Sequence, residues 1–100
     1  MKTHGIDFAS DAIRSFCVKW KIKELSVFGS ILRDDFRPDS DVDFLVEFED
    51  GANRDPRDHF AMEEELAAIV ERKVDLTSKD RLKWVVRDRV LADARVIHEA

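Results

Sequence analysis

The sequence has a single cysteine in 100 residues, no surplus of positive charge and no long apolar run. One thiol, Cys17, excludes a disulfide framework and a cysteine-ligated zinc site within the chain, and it suits a reducing cytoplasm. The formal net charge is −5, from 17 Lys and Arg against 22 Asp and Glu. Without clustered cations to displace counterions from phosphates, a general electrostatic grip on DNA or RNA is excluded, and any nucleotide must be held locally. Nowhere are there the ~20 consecutive apolar residues of a membrane span, and the first residues carry no signal-peptide core, so the chain reads as soluble. Internal repeats, heptads and low-complexity tracts are also missing.

What is there is 44% hydrophobic and 39% charged residues, enough for a core under a well-solvated surface. Residues 1–100 read as a single domain that hides roughly two thirds of its unfolded-state surface on folding. Ile13, Phe16, Cys17 and Trp20 recur at helical spacing and predict a helix over Ala9–Lys21, capped by Ser10 or Asp7. Leu25–Phe28 predicts a strand ended by Gly29, with a helical turn over Ile31–Asp35 stopped by Pro38. Asp41–Phe48 alternates, so Val42, Phe44, Val46 and Phe48 form one apolar row while Asp41 and Asp43 share the other face. Gly51, Asn53 and Pro56 mark a loop. Asp58 is expected to cap a helix from His59 to Arg72, with Phe60, Leu66, Ile69 and Val70 inward and Glu63, Glu64 and Glu65 near its start. Val74–Thr77 predicts a third strand with Asp75 in its middle. A last helix over Leu82–Leu91, with Leu82, Val85, Val86, Val90 and Leu91 inward, precedes a small strand over Ala94–His98.

Chemistry concentrates where Gly29-Ser30 is followed, after residues 31–40, by Asp41-Val42-Asp43. Two Asp at i and i+2 of a strand carry their carboxylates on one side, about 6 to 7 Å apart along it. Such a pair suits magnesium, a hard cation that takes one or two carboxylates plus phosphate oxygens and water. A third carboxylate would admit a second ion and set a base near an attacking hydroxyl, and Asp75 is the candidate. Its bland alternative is an edge-strand Asp facing solvent. Gly29 permits a backbone conformation and an approach that a side chain would block, and Ser30 adds a hydroxyl beside backbone N–H groups, which suits a phosphate.

The residues Phe28-Gly29-Ser30, Arg33, Ser40-Asp41-Val42-Asp43 and, by position, Val74-Asp75-Leu76 resemble the minimal nucleotidyltransferase family of the DNA polymerase β-like superfamily. The likeness runs from Leu25 to the C-terminus. It implies an α+β fold of the polymerase β-like palm type, a mixed sheet with helices mainly on one face. It further implies Asp41, Asp43 and Asp75 as metal-binding and catalytic carboxylates and Gly29 and Ser30 as the triphosphate hold. ATP would be the co-substrate, with two Mg2+ ions. Family members often read Gly-Ser-x-Ala-Arg-Gly. Here Leu32 and Asp34 depart from that pattern while Arg33 keeps it.

Small chains of this kind resemble the antitoxins of HEPN/MNT toxin–antitoxin pairs, which neutralise a HEPN ribonuclease by binding, by transfer of AMP to a tyrosine, or by both. That resemblance implies a protein adenylyltransferase whose acceptor is a HEPN toxin, since the length leaves no segment for an acceptor-binding domain. Two alternatives stand: an antitoxin that masks its toxin without turnover, and a small-molecule nucleotidyltransferase acting on an aminoglycoside-like hydroxyl. Nucleotide preference, the number of AMP units and the stoichiometry of a complex are not legible.

Several residues have two readings. Arg33 either contacts phosphate or pairs with Asp34, Asp35 or Asp39. Ser40 either touches the nucleotide site or supports the turn before Asp41. Arg37 and Lys73 read as solvated charges. His4, His59 and His98 lack the mutual spacing of a metal site and read as structural or surface groups. Trp20 and Trp84 read as packing residues, with a protein interface as the second reading for Trp84.

Overall fold

The computed structural model describes residues 2–34, 36–37, 39–51, 55–82 and 84–99, and the backbone alone of Pro56 and Trp84. The expectations for Pro38 and Asn53 and for the side chain of Trp84 lie outside the described residues. Strands β3 (Ile22–Phe28), β4 (Val42–Phe48), β5 (Val74–Ser78) and β6 (Arg95–Glu99) form a sheet in the order β5-β4-β3-β6. β3 runs antiparallel to β4 and β6, whereas β4 and β5 are parallel, so the sheet is mixed. A parallel pair needs a crossover, and helix α2 (Pro56–Val70) supplies it. Before the sheet come a short hairpin, β1 (Lys2–Thr3) with β2 (Ile6–Asp7), and helix α1 (Asp11–Lys19). Helix α3 (Trp84–Asp93) leads into β6.

The period-2 row of β4 faces the helices as expected: Val42, Phe44 and Val46 are buried and Phe48 half-buried. Against them pack Ile13, Phe16 and Cys17 of α1 and Met62, Leu66 and Val70 of α2. Ser10 caps α1, its hydroxyl accepting from the Ile13 N–H at 3.4 Å. Strand β3 begins at Ile22, earlier than expected, because Lys23 and Glu24 mask a strand whose first residue is buried.

Helix α2 corrects the sequence reading. Its cap is Asp55, not Asp58: the Asp55 carboxylate accepts from the Arg57 N–H at 2.9 Å, and Pro56, with its fixed φ and missing N–H, takes the first helical position. Phe60 is 70% exposed rather than inward. The buried stripe runs through Met62, and two residues along a helix is about 200° around it. Glu63–Glu65 lie mid-helix, not at its start, and two of them tie elements together. Glu63 accepts the Leu76 N–H of edge strand β5 at 2.9 Å, so that amide is not left open to another chain. Glu65 accepts from the Trp20 indole and from Lys19, both at 3.0 Å.

Helix α3 is the second correction. Val85 and Val86 are 63% and 42% exposed, while Leu82, Val90 and Leu91 are only half-buried. The apolar core lies between the sheet and helices α1 and α2, and among the described residues none of α3 joins it. At the far end of the opposite face, Lys79 donates to Glu24 at 2.9 Å and Glu47 at 3.2 Å, a cation between two carboxylates that face each other across β3 and β4. No helix among the described residues is long and apolar enough to cross a membrane.

Candidate active site

The site grows from the register between strands. Val42 donates its N–H to the Lys73 carbonyl at 2.8 Å, which fixes where the parallel pair begins, and Asp43 then lies directly beside Asp75. On its other side Asp43 pairs with Phe28, the residue before Gly29. Thus β3, β4 and β5 bring the turn and two of the three predicted aspartates to one end of the sheet. Asp41 stands just before β4 and is exposed. Asp75 is exposed on the edge strand, where Leu76 beside it turns into the core.

Gly29 has φ +77°, and a Cβ built on it would lie 2.5 Å from Asp43 Oδ2. Both the left-handed backbone and the close approach of the carboxylate therefore require glycine. The chain continues as a 3-10 turn over Gly29–Leu32, held by Ile31, which is fully buried. The Ser30 hydroxyl donates to the Asp41 carbonyl at 3.4 Å, tying the turn to the entry of β4. Ser40 is used within its own turn: its hydroxyl accepts the Arg37 N–H at 3.1 Å and its N–H bonds the Arg37 carbonyl at 2.9 Å.

Charge converges on Asp43. Burial, then the neighbouring charges of Asp75 and Asp41, push its pKa up to about 6, and the Arg33 guanidinium partly offsets them. The Arg33 charge is thus felt at Asp43, while contact with phosphate and pairing with a nearby Asp both stay as readings of this residue. Three carboxylates sharing one field form a donor set suited to a hard divalent cation, whose charge would relieve their repulsion. Among the described residues, however, no three His, Cys, Asp or Glu side chains are gathered into a ligating cluster. The fit is one of charge and donor type around Asp43.

Residues 10–98 match the nucleotidyltransferase domain family. This chain belongs to that family. A protein adenylyltransferase, MntA, from Thermococcus cleftensis is 36% identical over 75% of this chain and 74% of its own. A solved structure assigned to the minimal nucleotidyltransferases is 35% identical, covers 85% of both chains and superposes with a TM-score of 0.70. A chain from a complex of a tri-AMPylated HEPN toxin with an MNT antitoxin, from Shewanella oneidensis, shares the fold at 18% identity. Its TM-score is 0.62, over 89% of this chain and 65% of that one.

One feature of the site region was not legible. His4 and Gly5, at φ 50° and 78°, turn the β1–β2 hairpin, and the His4 ring meets the Arg33 carbonyl at 2.9 Å. Strands of two residues are too short for any period to register. The only signal was a His-Gly pair between apolar and polar alternants, the residue types that tolerate positive φ. His59 approaches Glu63 at 3.6 Å within α2, away from these carboxylates.

Proposed function

We propose that this single domain is an antitoxin-type protein adenylyltransferase, using ATP to place AMP on a tyrosine hydroxyl of a partner HEPN ribonuclease and so silence it. The observation that carries the reading is the register that sets Asp43 beside Asp75, with Gly29 held against the Asp43 carboxylate. The adenylyltransferase related to this chain and the AMP-bearing toxin complex that shares its fold support the choice of donor and acceptor.

Asp41 and Asp43 would hold magnesium, with Asp75 serving a second ion; the metal would supply positive charge against the triphosphate and the departing pyrophosphate. Gly29 gives the turn its left-handed backbone and room for the Asp43 carboxylate, and Ser30 and Arg33 add a hydroxyl and a guanidinium at the same turn. Ser40 shapes the entry to Asp41. Asp75, exposed beside Asp43, accepts the tyrosine proton. The phenolic oxygen then forms a bond to the α-phosphorus as the α–β bridging bond breaks and pyrophosphate leaves. Catalysis here consists of alignment and charge placement.

The test is to incubate the chain with ATP, magnesium and a HEPN-type protein from the same organism, and to weigh both proteins intact. Additions of AMP to the partner, lost with Asp41→Asn or Asp43→Asn, are the expected result. A partner silenced at unchanged mass, equally well by both variants, would instead establish neutralisation by binding alone.

A further inference from the structure

We infer that the N-terminal hairpin is a strap for the nucleotide-binding turn, and that His4 is a positioning residue acting through Arg33. The hairpin lies before residue 10, where the match to the family begins. Its root is firm: Ile6 and Phe8 are buried, and Phe8 meets Phe44 edge-on at 6.0 Å, one residue from Asp43. Its tip is aimed. Left-handed conformations at His4 and Gly5 fold the tip back, and two contacts hold it on the loop that leaves the Gly29-Ser30 turn.

The first contact is His4 Nε2 to the Arg33 carbonyl at 2.9 Å. A carbonyl only accepts, so Nε2 carries the hydrogen, which both the corresponding neutral tautomer and the imidazolium provide. The second is the His4 ring against Phe36, centroids 4.8 Å apart. Together they hold the Arg33 backbone and the Phe36 ring. Arg33 is itself bonded through its N–H to the Ser30 carbonyl at 2.9 Å, and its guanidinium is the charge that offsets carboxylate repulsion at Asp43. Fixing the Arg33 backbone from outside therefore fixes the origin of that cation before nucleotide arrives, which lowers the ordering cost of binding.

The inference rests on the nucleotidyltransferase reading of the site, and its test separates the two. Binding of Mg2+ with a non-hydrolysable ATP analogue is measured by calorimetry for the full chain, His4→Ala, His4→Gln, Arg33→Ala and the His4→Ala/Arg33→Ala double variant. Amide hydrogen exchange over residues 30–37 is followed in parallel. His4→Ala should speed exchange in that loop and weaken analogue binding about fivefold, the worth of one hydrogen bond of ordinary strength. His4→Gln, which keeps a side-chain N–H donor, should recover most of the loss. In the Arg33→Ala background the His4 change should add little, because both act through one group. Unchanged affinity in His4→Ala, or losses that simply add in the double variant, would overturn the positioning role even if the loop loosens. A wild-type chain that ignores the analogue would instead overturn the nucleotide site itself, and this inference with it.

Discussion

Replacing Asp43 with Asn should make the metal-free protein more stable at neutral pH. Burial and the charges of Asp75 and Asp41 raise the Asp43 pKa from the ordinary aspartate range near ~4 to about 6. A carboxyl whose folded-state pKa is raised keeps its proton where the unfolded chain has already released it. Its ionisation therefore removes stability as pH climbs from about 4 to about 6, and the deficit persists above that window. Two pKa units correspond to about 2.7 kcal/mol at most. Asp43 is only half-buried, so solvent screening reduces this to roughly 1 kcal/mol.

In a domain of this size, ~1 kcal/mol moves the melting temperature by about 4–8 °C. Thermal melts of wild type and Asp43→Asn at pH 7.5 should differ by that amount, the variant melting higher. At pH 3.5 the two should nearly coincide, because Asp43 is then mostly neutral in both states. Millimolar Mg2+ should stabilise the wild type more than the variant, closing part of the gap. An Asn variant that melts lower than the wild type at pH 7.5, or a gap unchanged at pH 3.5, would refute the view that Asp43 is held against electrostatic strain for the sake of the site.

Three further outcomes follow from particular contacts. Gly29→Ala should lower stability by about 1–2 kcal/mol in urea melts for its positive φ, and should abolish binding of the ATP analogue because the new methyl meets Asp43 Oδ2. Lys79→Ala leaves Glu24 and Glu47 opposed across β3 and β4, so it should destabilise the fold in urea melts at pH 7. Those partners raise the Lys79 pKa, hence the wild-type advantage should be full below pH ~10 and fade only as the lysine deprotonates above that. Cys17 is buried with its thiol pushed up to about 12, so Ellman's reagent should react with it at the rate of global unfolding and no faster.

Legibility followed from how local each determinant is. The β4 row and the α1 stripe were readable because a strand repeats every two residues and a helix every 3.6, so burial is written into spacing. The cap of α2 and the fate of Phe60 were separate misreadings: Asp55 lies before the proline that opens the helix, and Phe60, six residues and about 240° from Leu66, falls off the Met62, Leu66 and Val70 stripe. Val85 and Val86 failed for a different reason. An apolar pattern says that a helix could bury one face, not whether the fold brings that face to the main core, and no described residue of α3 joins it. At the site, Gly29, Asp41 and Asp43 lie within one short stretch of chain. Asp75 is joined to them only by the parallel register, a property of the crossover rather than of any local pattern. The same reasoning explains why the His4 strap stayed hidden: its partner lies 29 residues away, and only the folded sheet brings the hairpin tip over Arg33. Strand spacing therefore proposes Asp41 and Asp43 as a pair, and the parallel register adds Asp75 beside Asp43. A stability cost at Asp43, in the melts described above, is the outcome expected of a sheet end that serves chemistry rather than packing.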